Sequence, residues 1–460
     1  MKTDTIAAIA TGLSDSGIGI IRVSGQEAIQ IVDSIYWNAN KKQILRNYPA
    51  NTIHYGFIHE EDEIVDEVMV SVFHAPYSYT TEDIVEINCH GGIYLLRKVL
   101  MMVLDHGARL AEPGEFTKRA FLNGRIDLAR AEAVMDMISA QNHFSLQSSI
   151  RQLRGDVSQC IRSLREKLIY EIAFIESALD DPEHISLDGY PEKLDEILQK
   201  MEEELHRLLV HSQNGSILKN GINTVILGKP NAGKSSLLNQ LAGKERSIVT
   251  EIAGTTRDII EETVRLGEVT LNMIDTAGIR DTEDKIEQIG VEKAIQYAED
   301  ADFIIYVVDS SVSIDDNDRR IIPILQNRNA VVLCNKSDLN QAVSEDEIHS
   351  VIGEGIRIIH TSTKDGSGLE ELEQTVEEMF FRGEVYRNDE IYMTNIRHLE
   401  AMEEAYNSIG MVRSSIRMNM PEDFYAIDLM SAYRSLGLII GEEVEDDLVN
   451  EIFSKFCMGK

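Results

Sequence analysis

The chain has little cysteine, little positive charge and no long apolar run. Four cysteines, Cys89, Cys160, Cys334 and Cys457, are spread over 460 residues with no Cys-x-x-Cys pair. That spacing suggests neither a zinc knuckle nor a disulfide framework, and it fits a reduced cytoplasm. The greasiest internal run, Phe303 to Val308, is far too short to cross a bilayer, and Met1-Lys2-Thr3-Asp4-Thr5 lacks a basic region followed by a long apolar stretch. No membrane span is expected. Against 78 acidic residues stand 44 basic ones, a formal charge of −34, which argues against a general polyanion binder. The histidines lack metal-ligand spacing: His54 and His59 lie five apart in an expected strand, on opposite faces.

What is present is typical of a folded chain. An apolar share of 43% and a charged share of 27% disfavour wholesale disorder. A length of 460 residues allows two to four compact units with at least one full core. From Asp4 to about Phe121, short β-rich runs such as Ile18–Val23 and Glu67–Val72 alternate with Gly and Pro and one helical stretch near Ile93–Leu104, an α+β pattern. No Gly or Pro then interrupts Arg125–Arg154 or Asp156–Asp181, and Ile161, Leu164, Leu168, Ile172, Ile175 and Leu179 recur at helical spacing. A third helix with Leu194, Ile197, Met201, Leu205 and Leu208 on one stripe is expected to end near Asn214-Gly215. From Asn223 to about Phe381 strands alternate with helices, the signature of a mostly parallel α/β sheet, and helical periodicity returns from Met393. The boundaries expected are 1–119, 120–217, 218–382 and 383–460, with the α/β domain inserted into a helical bundle.

Gly228-Lys229-Pro230-Asn231-Ala232-Gly233-Lys234-Ser235 has phosphate-loop spacing directly after a strand and before the helical run that opens with Ser236. The glycines let backbone N–H groups face phosphates; Lys234 adds charge, and Ser235 supplies a hydroxyl to Mg²⁺. Asp275-Thr276-Ala277-Gly278 closes another strand, placing a carboxylate for water-mediated contact with Mg²⁺ and the Gly278 N–H for the γ-phosphate. In Asn335-Lys336-Ser337-Asp338 a carboxylate can accept from both guanine N1–H and the 2-amino group, which adenine lacks, and Ser362-Thr363-Lys364 completes the base pocket. Together these point to GTP. The loop Thr250-Glu251-Ile252-Ala253-Gly254-Thr255-Thr256-Arg257-Asp258 is of the type that orders around a γ-phosphate, with Thr256 as the second Mg²⁺ hydroxyl. Ras-like GTPases follow Asp-x-x-Gly with a water-orienting Gln; here Ile279 stands there and cannot hydrogen-bond through its side chain.

In order, these motifs resemble the MnmE (TrmE) family of tRNA-modifying GTPases nearly end to end. The resemblance includes Asp4–Ala8, Gly19–Gly25, Ser78–Asp83, His90-Gly91-Gly92, the block Glu112–Arg125, Asn395, Arg397, His398 and the ending Cys457-Met458-Gly459-Lys460. It implies an N-terminal domain like tetrahydrofolate-binding proteins that also forms a homodimer, followed by a helical domain interrupted by a Ras-like P-loop GTPase domain. It implies partnership with the flavoprotein MnmG in a heterotetramer-like complex. The product is a carboxymethylaminomethyl or aminomethyl group at C5 of wobble uridine, built with a one-carbon unit from a 5-formyl or 5,10-methylene tetrahydrofolate. By match to the family, Arg22, Glu82, Arg125 and Lys460 are folate-site candidates. Asn231 together with the backbone near Thr250, Ile252 and Thr255 would bind K⁺ in place of an arginine finger, and Glu287 would organise the attacking water.

Some assignments stay open. Arg22 and Arg125 are either folate cations or surface charges, Glu82 either a pterin acceptor or a helix-start acid, and Glu287 either catalytic or a solvated helix carboxylate. Cys457 is either a nucleophile toward the base or a small residue of a docked tail, since no adjacent base activates it. Gly12–Ser16 departs from the Gly/Pro/Arg-rich loop of many relatives, and Met458 replaces Ile or Leu. The basic set Arg151, Arg154, Arg162, Arg165 and Lys167 either meets tRNA or the partner enzyme, or forms a solvated helix face. Two other functions compete: a ribosome-assembly GTPase switch, for which neither a KH-type Gly-x-x-Gly module nor a basic tail is seen, and a folate-dependent aminomethyltransferase with an incidental NTPase.

Overall fold

The computed structural model describes residues 4–40, 42, 44–140, 142–229, 231–244, 260–267, 269–274, 298, 301–326, 328–342, 348, 355–381, 393–442, 444, 446–456 and 459. Its elements, in chain order, are β1 (Ile6–Ile9), β2 (Ser16–Ser24), α1 (Ala28–Ile35), β3 (Tyr36–Asn38), β4 (Thr52–Glu60), β5 (Glu63–Phe73), β6 (Ile84–Gly91), α2 (Ile93–Asp105), β7 (Arg109–Leu110), α3 (Glu115–Leu122), α4 (Leu128–Ser139), α5 (His143–Arg154), α6 (Asp156–Asp180) and α7 (Tyr190–Asn220). They continue with β8 (Ile222–Gly228), α8 (Lys234–Lys244), β9 (Ile260–Leu266), β10 (Val269–Ile274), β11 (Phe303–Asp309), α9 (Asp316–Ile321), β12 (Ala330–Asn335), β13 (Arg357–His360), α10 (Leu369–Phe381), α11 (Ile396–Arg417), α12 (Glu422–Ile440) and α13 (Asp446–Ser454). The chain is therefore a multidomain protein of α+β and α/β type, with helical segments on both sides in sequence of an α/β domain.

Contacts group the residues into two units, one of 1–135, 152–195 and 407–460 and one of 136–151 and 196–406. The first holds a seven-stranded sheet in the order β3-β4-β5-β6-β2-β1-β7, antiparallel except for the β1–β7 pair. One face buries Ile21, Val23, Val68, Val70, Val85 and Ile87 under α1 and α2, as the strand period of two requires. In the same unit α6 packs along α12, with Ile161, Leu164, Leu168, Ile172 and Ile175 buried on the stripe expected from their spacing, whereas Leu179, expected on the same stripe, is exposed near the end of the helix. Each such side chain contributes roughly 1.5–3 kcal/mol of burial free energy, offset by the entropy of ordering the helix.

The second unit holds a six-stranded sheet, β13-β12-β11-β8-β10-β9, parallel except for β9, with apolar cores on both faces. Strands buried on both sides explain the near-continuous apolar runs at 303–308 and 330–334. The order reverses at β8, so the loop after β8 stands at the crevice where open α/β sheets bind ligands.

Two helix boundaries differ from expectation. The third helix runs through Gly215 to Asn220 and stops before Gly221, whose φ of +80° takes the left-handed turn that ends helices. A single interior glycine costs only about 1 kcal/mol, too little to stop a helix of 31 residues. The run Arg125–Arg154 is broken between Ser139 and His143 although it has neither Gly nor Pro. Asn142 caps α5 there: its side-chain oxygen accepts from the Ser145 N–H at 2.7 Å, while the Ser145 hydroxyl accepts from the Asn142 N–H at 3.3 Å.

Candidate functional site

Three loops at the ends of β8, β12 and β13 meet at one side chain. Asn335, buried at the end of β12, donates through Nδ2 to the carbonyl of Ala232 in the phosphate loop at 2.8 Å. Its Oδ1 accepts from the Thr363 N–H at 3.1 Å, and Nδ2 also reaches Thr363 Oγ1 at 3.5 Å. The glycine before Lys234 is required here: Gly233 has φ +102°, and a Cβ at that position would overlap the Asn335 amide. The amide thus joins the Gly-rich loop, the Asn335–Asp338 turn and the Ser362–Lys364 turn.

Asp338 accepts from the Ser362 hydroxyl at 3.2 Å and lies 3.9 Å from Lys364 Nζ, leaving acceptor positions for a base. Lys336, in the left-handed region at φ +64°, pairs with Asp309 at 2.6 Å, and Ser337 N–H donates to the Thr361 carbonyl at 3.1 Å. Lys234 Nζ donates to the carbonyls of Gly228 and Lys229, both at 2.7 Å. An ammonium has three donors, so beyond these two bonds among the described residues one remains for an anion. Burial pushes the Lys234 pKa down to about 8. Asn231 is exposed at φ +63°, a conformation that asparagine tolerates, while Ser235 and Ser236 are exposed in the first turn of α8, whose N-terminal N–H groups suit phosphate. The donor set fits a guanine nucleotide, and Ser235 fits one hydroxyl ligand of Mg²⁺. Thr250, Glu251, Ile252, Ala253, Gly254, Thr255, Thr256, Asp275, Thr276, Ala277, Gly278, Ile279 and Glu287 lie outside the described residues.

A second cluster lies in the N-terminal sheet. Arg22 and Arg125 share the ring of Tyr79, with guanidinium carbons 5.7 and 4.9 Å from its centroid. Arg125 Nη1 also donates to the Tyr79 carbonyl at 3.0 Å. Glu82 accepts from Ser24 Oγ at 2.7 Å and from Arg119 Nη1 at 3.1 and 3.2 Å. It stands in the loop between β5 and β6, not at a helix start. Arg22 is committed to protein partners: Nε and Nη2 meet Glu86 at 2.8 Å, and Nη1 donates to the Gly459 carbonyl at 3.1 Å. Gly459, with φ +84°, packs against Ile9 and Ala10 so closely that no Cβ fits. Cys457, Met458 and Lys460 lie outside the described residues.

Sequence reasoning missed Arg119, Arg109, Asp4 and Glu115 as members of this cluster. Arg109 bridges Asp4 at 2.7 Å and Glu115 at 2.6 Å, and Arg119 bridges Asp4 and Glu82. Arg109 holds the Asp4 carboxyl below the usual carboxylate range; at Glu115 burial works the other way, but Arg109, a backbone N–H and Arg119 outweigh it. The signal available was the density of charge in Glu112–Arg125, without pairing information. A carboxylate, an aromatic ring and cations are the groups that suit a pterin with an anionic tail, though Glu82 and Arg22 both already hold protein partners here.

The basic set does not form one free face. Arg165 is buried, pairs with Glu442 at 2.5 Å and lies 4.0 Å over the Tyr433 ring; Arg162 pairs with Asp127 at 3.1 Å. Among the described residues no group of three or more His, Cys, Asp or Glu could hold a metal ion, and no helix is long and apolar enough to cross a membrane.

Comparison with known proteins places these motifs in a family. Residues 5–125 match the family described as GTP-binding protein TrmE N-terminus, and residues 128–457 match the MnmE helical domain. A tRNA modification GTPase MnmE of Lachnoclostridium phytofermentans is 54% identical over 460 residues, covering 100% of both chains. Those of Acetivibrio thermocellus and Listeria welshimeri are 46% and 44% identical, again over 100% of each chain. With both family matches in order and identity sustained along the whole length, the chain belongs to the MnmE (TrmE) family of tRNA modification GTPases.

Proposed function

We propose that this chain binds and hydrolyses GTP and uses the cleavage in modifying C5 of wobble uridine in certain tRNAs, as a homodimer working with the flavoprotein MnmG. The observation that carries the reading is the Asn335 amide, which ties the phosphate loop to both turns of a guanine pocket. Asp338 accepts the guanine N1–H and 2-amino hydrogens, and Lys234 places its third donor on a phosphate oxygen. Ser235 and Thr256 hold Mg²⁺, with Asp275 acting through water. Ile279 has no hydrogen-bonding side chain, and by its match to the family acid Glu287 orders the attacking water through a second one. Asn231 and the backbone of Thr250, Ile252 and Thr255 hold K⁺, which when bound supplies positive charge beside the phosphates. A tetrahydrofolate sits against Tyr79 with Glu82 toward the pterin and Arg125 and Lys460 toward its tail; the one-carbon unit comes from it. Cys457 remains the nucleophile candidate in the tail.

The test exchanges one acceptor for a donor. Asp338→Asn should lose GTP and gain xanthosine triphosphate, whose 2-carbonyl accepts where guanine donates, by about tenfold or more in each direction. Unchanged selectivity, or a wild type that prefers ATP, overturns the guanine pocket. In cells lacking this protein, nucleoside mass spectrometry should show the wobble modification lost, restored by wild type and not by Asp338→Asn. Replacing K⁺ by Na⁺ should sharply slow hydrolysis, and equal rates would remove Asn231 from its role.

A further inference from the structure

The first residue after the β8 glycine carries an anchor outside the three joined motifs. Lys229 Nζ reaches Asp318 Oδ2 at 2.5 Å and Asp315 Oδ2 at 2.9 Å. Asp318 is buried, and its carboxylate holds two further donors: Oδ1 accepts from the Tyr306 hydroxyl at 2.6 Å, and Oδ2 also accepts from the Asp315 N–H at 3.1 Å. The Asp318 N–H returns a bond to Asp315 Oδ1 at 3.2 Å, a reciprocal cap on the first turn of α9. Tyr306 is fully buried in β11, paired in register with Leu227, the residue before Gly228. Burial works against the charge of Lys229, but Asp318 and Asp315 outweigh it and hold its pKa above the usual lysine value.

The carbonyl of this same Lys229 accepts one of the two loop bonds that aim Lys234 Nζ. A chain of contacts therefore runs from Tyr306 through Asp318 to the Lys229 side chain, and from the Lys229 backbone to the ammonium that meets phosphate. Resting on the GTP reading above, we infer that Asp318, with Tyr306, is a positioning residue for the nucleotide site: it fixes Lys229 and thereby the carbonyl that orients Lys234. Asp318 and Tyr306 touch no nucleotide themselves. A charged hydrogen bond in a buried setting has the strength to matter for binding, and a lysine aimed by a fixed carbonyl loses less freedom on meeting a phosphate.

The experiment is a double-mutant cycle in the full-length protein, read by titration with a fluorescent GDP and with a non-hydrolysable GTP analogue. Lys229→Met and Asp318→Asn should each weaken binding by about tenfold, the loss of one charge-assisted contact. The double variant should be no weaker than the worse single, because both remove the same chain. Lys229→Arg, which can still reach the two carboxylates, should keep affinity within about threefold, and Tyr306→Phe should lose several-fold. Lys229→Met strips the buried Asp318 carboxylate of its cation, so it and Asp318→Asn should each lower the melting temperature, and binding is read at a temperature where every variant is folded. A purely structural role would lower the melting temperature and leave the affinity of the folded variants alone. Wild-type affinity in Lys229→Met, or losses that multiply in the double variant, overturns the inference. Failure of the wild type to bind guanine nucleotide overturns the GTP reading and this inference together, whereas failure of the variants alone sinks only the inference.

Discussion

At Lys234 a buried ammonium has to carry charge for a phosphate. Its pKa, lowered to about 8 by burial, means that the free site has lost about half of this proton by pH 8 and most of it above that. A bound phosphate favours the ammonium, so the complex holds the proton to higher pH, and binding above 8 takes one up. Calorimetry at pH 8.5 in two buffers of different ionisation enthalpy should find uptake of roughly half to one proton per GDP. Zero uptake would contradict a depressed Lys234. Arg165 is the opposite case, a cation the sequence offered to tRNA that the fold consumes in a pair with Glu442 and the Tyr433 ring. Arg165→Ala should cost about 2 kcal/mol in chemical denaturation, less than a fully buried pair because Glu442 can rehydrate. A stable variant with weakened tRNA binding would return it to the interface. Lys234 and Asp338 were legible because each sits in a short motif whose spacing is the chemistry. Arg165, Arg119 and Asp318 were not, since a partner far away in sequence decides whether a charged side chain is bait or strut.

Elements were legible where one period runs unbroken. Apart from the exposed Leu179 at its end, the α6 stripe lies where its spacing puts it, as do the β-runs of both sheets, because the apolar face decides burial. Ends were harder. Gly215 looked like a stop, yet the stop came at Gly221, and the break before α5 came from a side-chain cap instead of a helix breaker. Asn142→Ala removes that cap and should destabilise the unit holding α5 by about 1 kcal/mol in a denaturant midpoint. No change would mean that packing around Phe144 sets the boundary. In α13, Phe453 is buried among Leu128, Phe121 and Phe456. Phe453→Ala should cost about 3–5 kcal/mol by the same measurement, with a loss below about 1 kcal/mol showing a helix only loosely seated.

For the molecule as a whole, a charge of −34 and the loss of Arg165 from the basic set leave little surface to hold RNA by phosphate contacts alone. Binding of tRNA by the isolated protein should be weak, fall steeply between 50 and 200 mM salt as expected for a few phosphate contacts, on the order of tenfold or more, and strengthen when MnmG is added. Affinity indifferent to ionic strength would point to a non-electrostatic surface. The tail has a consequence of another kind. Gly459 nests on Ile9 and Ala10 and hands its carbonyl to Arg22, so the corner of β1 and β2 is completed by a residue 437 positions after Arg22. A nascent chain stalled anywhere in the GTPase segment would therefore leave the ribosome with this corner unfinished.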